Sequence, residues 1–265
     1  MVTRRVPGLR RPARLALALC LVLALLALAA RYIVLPLLFW RFAEACERPK
    51  FSVLGTVDAE LDGRAIKVEL RRYSPSIVAV VRVPKSIPEP DRRAKGFGQV
   101  AGYIFGANKP RMRRGEAEKE PEKISMTAPV QSETVAGSPI QDGDELVSFT
   151  MPSKYGSIDT LPVPRNRNVT LKAVPAHFAA IVGFRGPPPS QEKVLKLQEA
   201  MEVALRANGL RPQGGRGPQV LQYHDPFATP NLLRWNEVLI NLEPKGLDGI
   251  SQRIAHGFPH VAAIS

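Results

Sequence analysis

Cysteine and histidine are the scarcest reactive residues in this chain. Two cysteines, Cys20 and Cys46, exclude a disulfide framework and any Cys-rich zinc module. Four histidines, His177, His224, His256 and His260, leave few ways to build a His-based metal centre. No serine sits in a G-x-S-x-G elbow, so that kind of hydrolase nucleophile is missing. Acidic residues are absent from the N-terminus until Glu44. Apolar material, by contrast, is plentiful. A 265-residue chain that is 45% hydrophobic can bury a real core, and its length allows one or two domains.

The formal net charge of +13 would suit a nucleic-acid partner, but the charge is unevenly spread. Residues 1–50 hold nine Lys/Arg against two Asp/Glu, and the remaining 215 hold 28 against 22. About half of the excess therefore belongs to the N-terminal segment. The basic run at 109–114 lacks interleaved aromatics and is followed by Glu116, Glu118 and Glu120. It reads as a solvated loop of mixed charge, and no nucleic-acid partner is expected.

The N-terminal fifty residues concern membranes or targeting. Arg4, Arg5, Arg10, Arg11 and Arg14 precede LALALCLVLALLALAA at 15–30; Arg31 and then YIVLPLLFW at 32–40 follow. The first run alone would span about 24 Å, short of a hydrocarbon core of about 30 Å. Counting on to Trp40 lengthens it, and Arg31 could snorkel to an interface. Three readings stand side by side. One is a single-pass anchor with its arginines on the cytoplasmic or stromal side. The others are a signal peptide cleaved near Ala27-Leu28-Ala29, giving a secreted domain, and an organellar (chloroplast) transit segment. Cys46, just past the apolar run, is in place for acylation or is an idle thiol. The chain thus divides into a leader or anchor at 1–50, a domain at 51–244 and a surface tail at 245–265.

Within the domain, a pattern occurs twice. IKVELRRYSPSIVAVVRV (66–83) alternates and turns at Ser74-Pro75, which predicts a hairpin of two strands. RRAKGFGQVAGYIFG (92–106) places Phe97, Val100, Ala101, Ile104 and Phe105 at helical spacing. KISMTAPVQS (123–132) and ELVSFTMP (145–152) read as strands. In the second half, NVTLKAVPAHFAAIVGF (168–184) repeats the paired strands with a turn at Pro175. QEKVLKLQEAMEVALRANG (191–209) is an amphipathic helix with Ser190 as N-cap and Gly209 as its stop. QVLQYHDP (219–226) and NEVLINLEP (236–244) complete it. The order is β-β-α-β-β, twice. The expected fold class is α+β: a distorted antiparallel β-barrel with two flanking helices, preceded by the N-terminal hydrophobic helix. Closure would hide the sheet edges. The stretch 152–168 is too rich in Pro and Gly for regular structure.

Residues suited to catalysis or metal binding are few. His177 lies on a strand and reads as a packed or surface residue. His256 and His260 have a metal-ligand spacing only on a helix, which Gly257 and Pro259 oppose. GFGQVAG (96–102) imitates a phosphate loop but falls inside a helix, and Asn168-Val169-Thr170 matters for glycosylation only in an exported domain. Thr127-Ala128-Pro129 suggests an edge or bulge, and Asn236 and Glu237 suit the satisfaction of backbone groups where the last strand begins. No catalytic residue and no metal site are expected.

Seven strings in order carry a resemblance: LRRYSPSIVAVVRV (70–83), GFGQVAGYIFGAN (96–108), ISMTAPV (124–130), SFTMPSKY (148–155), TLPVP (160–164), LQYHDPFATP (221–230) and LLRWNEVLINL (232–242). Together, from about 66 to 243, the chain closely resembles the SOUL/heme-binding protein family. The resemblance implies a duplicated, distorted barrel. It also implies reversible binding of heme or another tetrapyrrole in a shallow apolar groove by the first helix, for buffering or transport. In animal members that helix offers basic and methionine side chains; the matching positions here are Gly98 and Ala101. One member has been assigned an axial histidine just before the hairpin tyrosine, which corresponds here to Arg72, a poor iron ligand able to pair with a propionate. Helical spacing puts Gly98, Ala101, Gly102 and Phe105 on one face, where a flat macrocycle could lie or a strand could pack. The expected site is therefore Arg72, Gly98, Ala101, Gly102 and Phe105, without an axial ligand. A tetrapyrrole-processing enzyme and a protein-interaction domain are the alternatives.

Overall fold

In a computed structural model of the chain, residues 11–88, 91–112, 120–134, 144–226 and 228–244 are described. The tail at 245–265, with His256 and His260, lies outside them. The chain opens with one long helix. α1 (Arg11–Ala29) passes through a π turn at Ala30–Val34 into α2 (Leu35–Ala45). Pro36 gives the reason: its nitrogen cannot donate to the carbonyl one turn back, and a wider turn accommodates it. Among the described residues, Ala16–Ala45 is the one helix long and apolar enough to cross a membrane, with a mean hydropathy of 2.5.

The rest is built from β1 (Phe51–Leu61), β2 (Arg64–Tyr73), β3 (Ser76–Val83), α3 (Asp91–Ile104), β4 (Asn108–Lys109), β5 (Val130–Thr134), β6 (Glu145–Thr150), β7 (Val163–Pro164), β8 (Val169–Val174), β9 (His177–Arg185), α4 (Gln191–Ala207), β10 (Gln219–Gln222) and β11 (Trp235–Leu242). Nine strands form one antiparallel sheet in the order β1-β2-β9-β11-β10-β5-β6-β3-β8, and β4 pairs with β7 apart from it. Without β1 the order is symmetric: exchanging β2 with β8, β3 with β9, β5 with β10 and β6 with β11 reverses it onto itself. The repeat expected from the sequence is therefore also a repeat of pairing.

Two expectations need correction. First, 66–83 and 168–184 are not hairpins. β2 pairs with β1 and β9, while β3 pairs with β6 and β8. The register Tyr73↔His177 continues as Ser76↔Val174, so 64–83 and 169–185 are two long strands running antiparallel across a shared corner. Pro75 and Pro175 stand at that corner, where neither can donate to a ladder. Second, the sheet does not close: its hydrogen-bonded order ends at β1 and β8, so a barrel is not formed by pairing among the described residues. A tight hairpin forms instead at β1–β2, turned by Asp62 and Gly63, both at positive φ (50° and 74°), with Leu61 paired to Arg64.

One face of the sheet carries two apolar cores. α4 covers the first, where Val68, Leu70, Ala180, Val238, Leu197, Met201 and Leu205 are buried. Ser190 caps this helix by accepting from the Lys193 N–H at 3.2 Å, and Gly209 ends it at φ 73°. α3 covers the second core, with Val81, Val83, Val100, Tyr103, Ile104, Val147 and Phe149. Gly96 permits that approach, since a Cβ there would sit 2.5 Å from Val147 Cγ2. The opposite, inner face carries a third, smaller apolar cluster, with Ala179, Ile181, Leu221 and Leu239 buried, beside a group of buried polar side chains. α2 joins the domain at its rim. Ala43 is buried, the Ala128 N–H donates to the Glu47 carbonyl at 3.0 Å, and the Ser74 N–H donates to the Lys50 carbonyl at 2.9 Å. The stretch 152–168 is mostly irregular, as expected, and the strand expected from 123 starts only at Val130.

Candidate functional site

α3 separates its residues by period. Gly96, Val100, Tyr103 and Ile104 turn to the core. On the other side Gly98 is open, with nothing among the described residues within 4 Å of where a Cβ would stand, and at Gly102 a Cβ would meet Ala107, at 3.9 Å. Phe105 is 61% exposed. Ala101 is buried, so protein covers that edge of the patch. Two neighbours outside the expected site border this patch. Lys95 is exposed one turn before Gly98. Phe97 is 39% exposed, with its ring 5.5 Å from that of Phe149. The result is an exposed shelf of small residues bordered by phenyl rings.

Arg72 does not join this shelf. It lies on β2, opposite Ser52 of β1 and Phe178 of β9, with its guanidinium 6.0 Å from the Phe178 ring centroid. α3 packs instead on β3, β6 and β8.

The inner face concentrates buried polar groups. Its centre is Arg71, whose guanidinium donates to both oxygens of Glu237 at 3.0 Å, to Glu69, and to the Tyr73 hydroxyl at 3.2 Å. Glu237 also accepts from the Tyr223 hydroxyl at 2.7 Å and from Trp235 Nε1 at 3.2 Å. Burial opposes the charge on Arg71, but its bonds to Glu237 and Glu69 more than compensate and hold it firmly protonated. The Tyr223 and Tyr73 hydroxyls are pushed up, above all by burial. Sequence patterning could not separate Arg71 from Arg72, though only Arg71 faces inward. Asn236 satisfies backbone, donating to the Gly186 carbonyl at 3.0 Å, whereas Glu237 serves side chains.

Each inner histidine has a defined tautomer. His224 Nδ1 accepts from the Trp235 N–H at 3.0 Å, so Nε2 donates to Glu44 at 3.0 Å, and burial lowers its pKa. His177 donates from Nδ1 to the Pro175 carbonyl at 3.1 Å and stacks on Tyr73, with centroids 5.2 Å apart. Cys46 donates weakly to the Phe42 carbonyl. No group of three or more His, Cys, Asp or Glu able to hold a metal occurs among the described residues.

Two cavities open near this face. One, of about 600 Å³, is lined by Arg48, Lys50, Ile77, Met151, Tyr155 and Ile158 among others. The other, of about 230 Å³, is lined by strands on both sides of the corner. Neither includes a residue of α3.

Comparison with known proteins gives one extensive match. The model of the SOUL heme-binding protein family matches residues 46–241. A search of curated proteins found no match. Among solved structures, the chain is similar to the C-terminal domain of EcmrR, with 15% identity, a TM-score of 0.47, and coverage of 67% of this chain and 98% of that one. It is also similar to a hydrolase from Listeria innocua, with 11% identity, a TM-score of 0.41, and coverage of 76% and 95%. Both scores fall below one half, so neither likeness establishes a shared fold in detail.

Proposed function

Because this chain belongs to the SOUL heme-binding protein family, we propose that it binds heme or a related tetrapyrrole reversibly on the exposed shelf of α3, for buffering or transport. The observation that carries the reading is the open surface at Gly98 and Gly102 beside the exposed Phe105 and Phe97. A planar ring needs backbone-close approach on one side and aromatic contact at its rim, and small residues permit the first. Gly98, Ala101 and Gly102 would form the floor and Phe105 one wall. Lys95, on the same side of the helix, would pair with a propionate, while Arg72 stands beside Phe178 on another element. With no His, Cys or Met in Asp91–Ile104, iron would go without a ligand from α3.

The N-terminal helix supports a membrane-tethered form, with its arginines on the cytoplasmic or stromal side. Membrane fractionation with N-terminal sequencing of the mature protein tests this; recovery of a soluble chain beginning after Ala29 refutes it.

The binding test is parallel titration of the full chain in detergent with hemin and with protoporphyrin. Similar affinities are expected, with a Soret change but no histidine-type low-spin spectrum. Gly98→Leu should weaken both, and Lys95→Ala should weaken both modestly. A strong preference for hemin, or indifference to Gly98→Leu, would overturn the reading.

A further inference from the structure

The smaller cavity on the inner face is built unlike the α3 shelf. It holds about 230 Å³, against about 600 Å³ for its neighbour. Its walls include the apolar side chains of Val80 and Leu239, and its polar groups include Asn241, Lys172, Arg216 and Glu133.

Three details make this a site and not merely a gap. Asn241 is only 3% exposed, and its Nδ2 has no hydrogen-bond partner among the described residues. An amide donor left unpaired at such depth is unfavourable unless a ligand or water accepts from it. Glu133 is already occupied: it accepts from Gln219 Nε2 at 3.0 Å, and Arg216 Nε lies 3.5 Å away. Lys172, from β8, makes no direct ion pair among the described residues. Arg216 and Lys172 both face the single carboxylate of Glu133, so the cavity carries one excess positive charge and one unsatisfied donor. Apolar walls complete it.

We propose that this cavity is a second ligand site, for a small organic carboxylate with an apolar body. The carboxylate would accept from Asn241 Nδ2 and pair with Lys172. The body would lie against Val80 and Leu239. This site does not depend on tetrapyrrole binding and lies on the other side of the sheet from α3.

The test is calorimetric titration of the full chain in detergent with hexanoate and with benzoate, set against the neutral isosteres hexanamide and benzamide. The carboxylates should bind saturably with one site per chain, and the amides at least about tenfold more weakly. Lys172→Met, a change at an exposed side chain, should weaken carboxylate binding about tenfold and leave hemin titration unchanged. Asn241→Leu should do the same, with circular dichroism confirming its fold. If the carboxylates do not bind, if the amides bind equally well, or if Lys172→Met binds like the parent, the proposal is wrong.

Discussion

The buried pair Arg71–Glu237 allows a quantitative test of how the inner face is held. Both side chains are nearly inaccessible, at 9% and 4% exposure, and the bonding is bidentate. Removing one member strands the other. Arg71→Met leaves Glu237 with only the Tyr223 hydroxyl and Trp235 Nε1, and the charge is no longer balanced. Breaking a buried pair in this way is destabilising by about 3–5 kcal/mol. Glu237→Leu should be milder, because Arg71 keeps Glu69, which is part-exposed. The double change Arg71→Met/Glu237→Leu replaces charge with apolar volume and should lose less than the sum of the singles, by about 2–3 kcal/mol. Urea unfolding of the full chain in detergent measures this. The fluorescence of Trp235, whose indole bonds to Glu237, is a local reporter. With slopes of about 1–3 kcal/mol per molar urea, Arg71→Met should lower the midpoint by about 1–5 M. Singles below about 1 kcal/mol, or strict additivity, would refute a buried, coupled pair.

Other outcomes follow from single contacts. His224 is held below its usual value of 6.5, mainly by burial, so the folded state binds fewer protons than the unfolded state just below that pH. Its contribution to stability is complete above pH 6.5 and declines as pH falls through and below it. His224→Gln should flatten that part of a melting-temperature profile, and an unchanged slope would refute the assignment. Gly96→Ala forces a methyl toward Val147 and should lose about 1–3 kcal/mol by thermal or urea unfolding. Gly63→Val, at φ 74° with open space around it, should lose about 1–2 kcal/mol through backbone strain alone. Asn236→Ala unpairs the Gly186 carbonyl and should lose about 1–3 kcal/mol.

Local signals were legible in the sequence and distant pairings were not. Ser190 and Gly209 bound α4 where cap chemistry puts them, and the twofold order of elements is written in the repeated strings. The Asp62-Gly63 dipeptide is a strong hairpin signal flanked by alternating residues, and β1 and β2 pair around it. The proline corners differ from the expected turns for a physical reason. Ser74-Pro75 has the composition of a turn, and only the partner strand 169–185 decides whether the chain reverses or bends. A period of two likewise tells which residues share a face, not which face is wet. Arg71 and Arg72 became distinguishable only once Glu237 was seen across the sheet. The α3 shelf was legible from helical spacing, except for Ala101, whose burial depends on what packs beside it.

The crossed corner has a consequence for the two halves. Each long strand, 64–83 and 169–185, finds its ladder in the other half of the chain, and β5 meets β10 at the centre of the symmetry. Half a chain would therefore expose the edges of β2, β3 and β5 at once, and a second copy of itself would be the natural means of covering them. The chain can be regarded as two like halves that pair as two copies of one half would, each covering the edges the other leaves open.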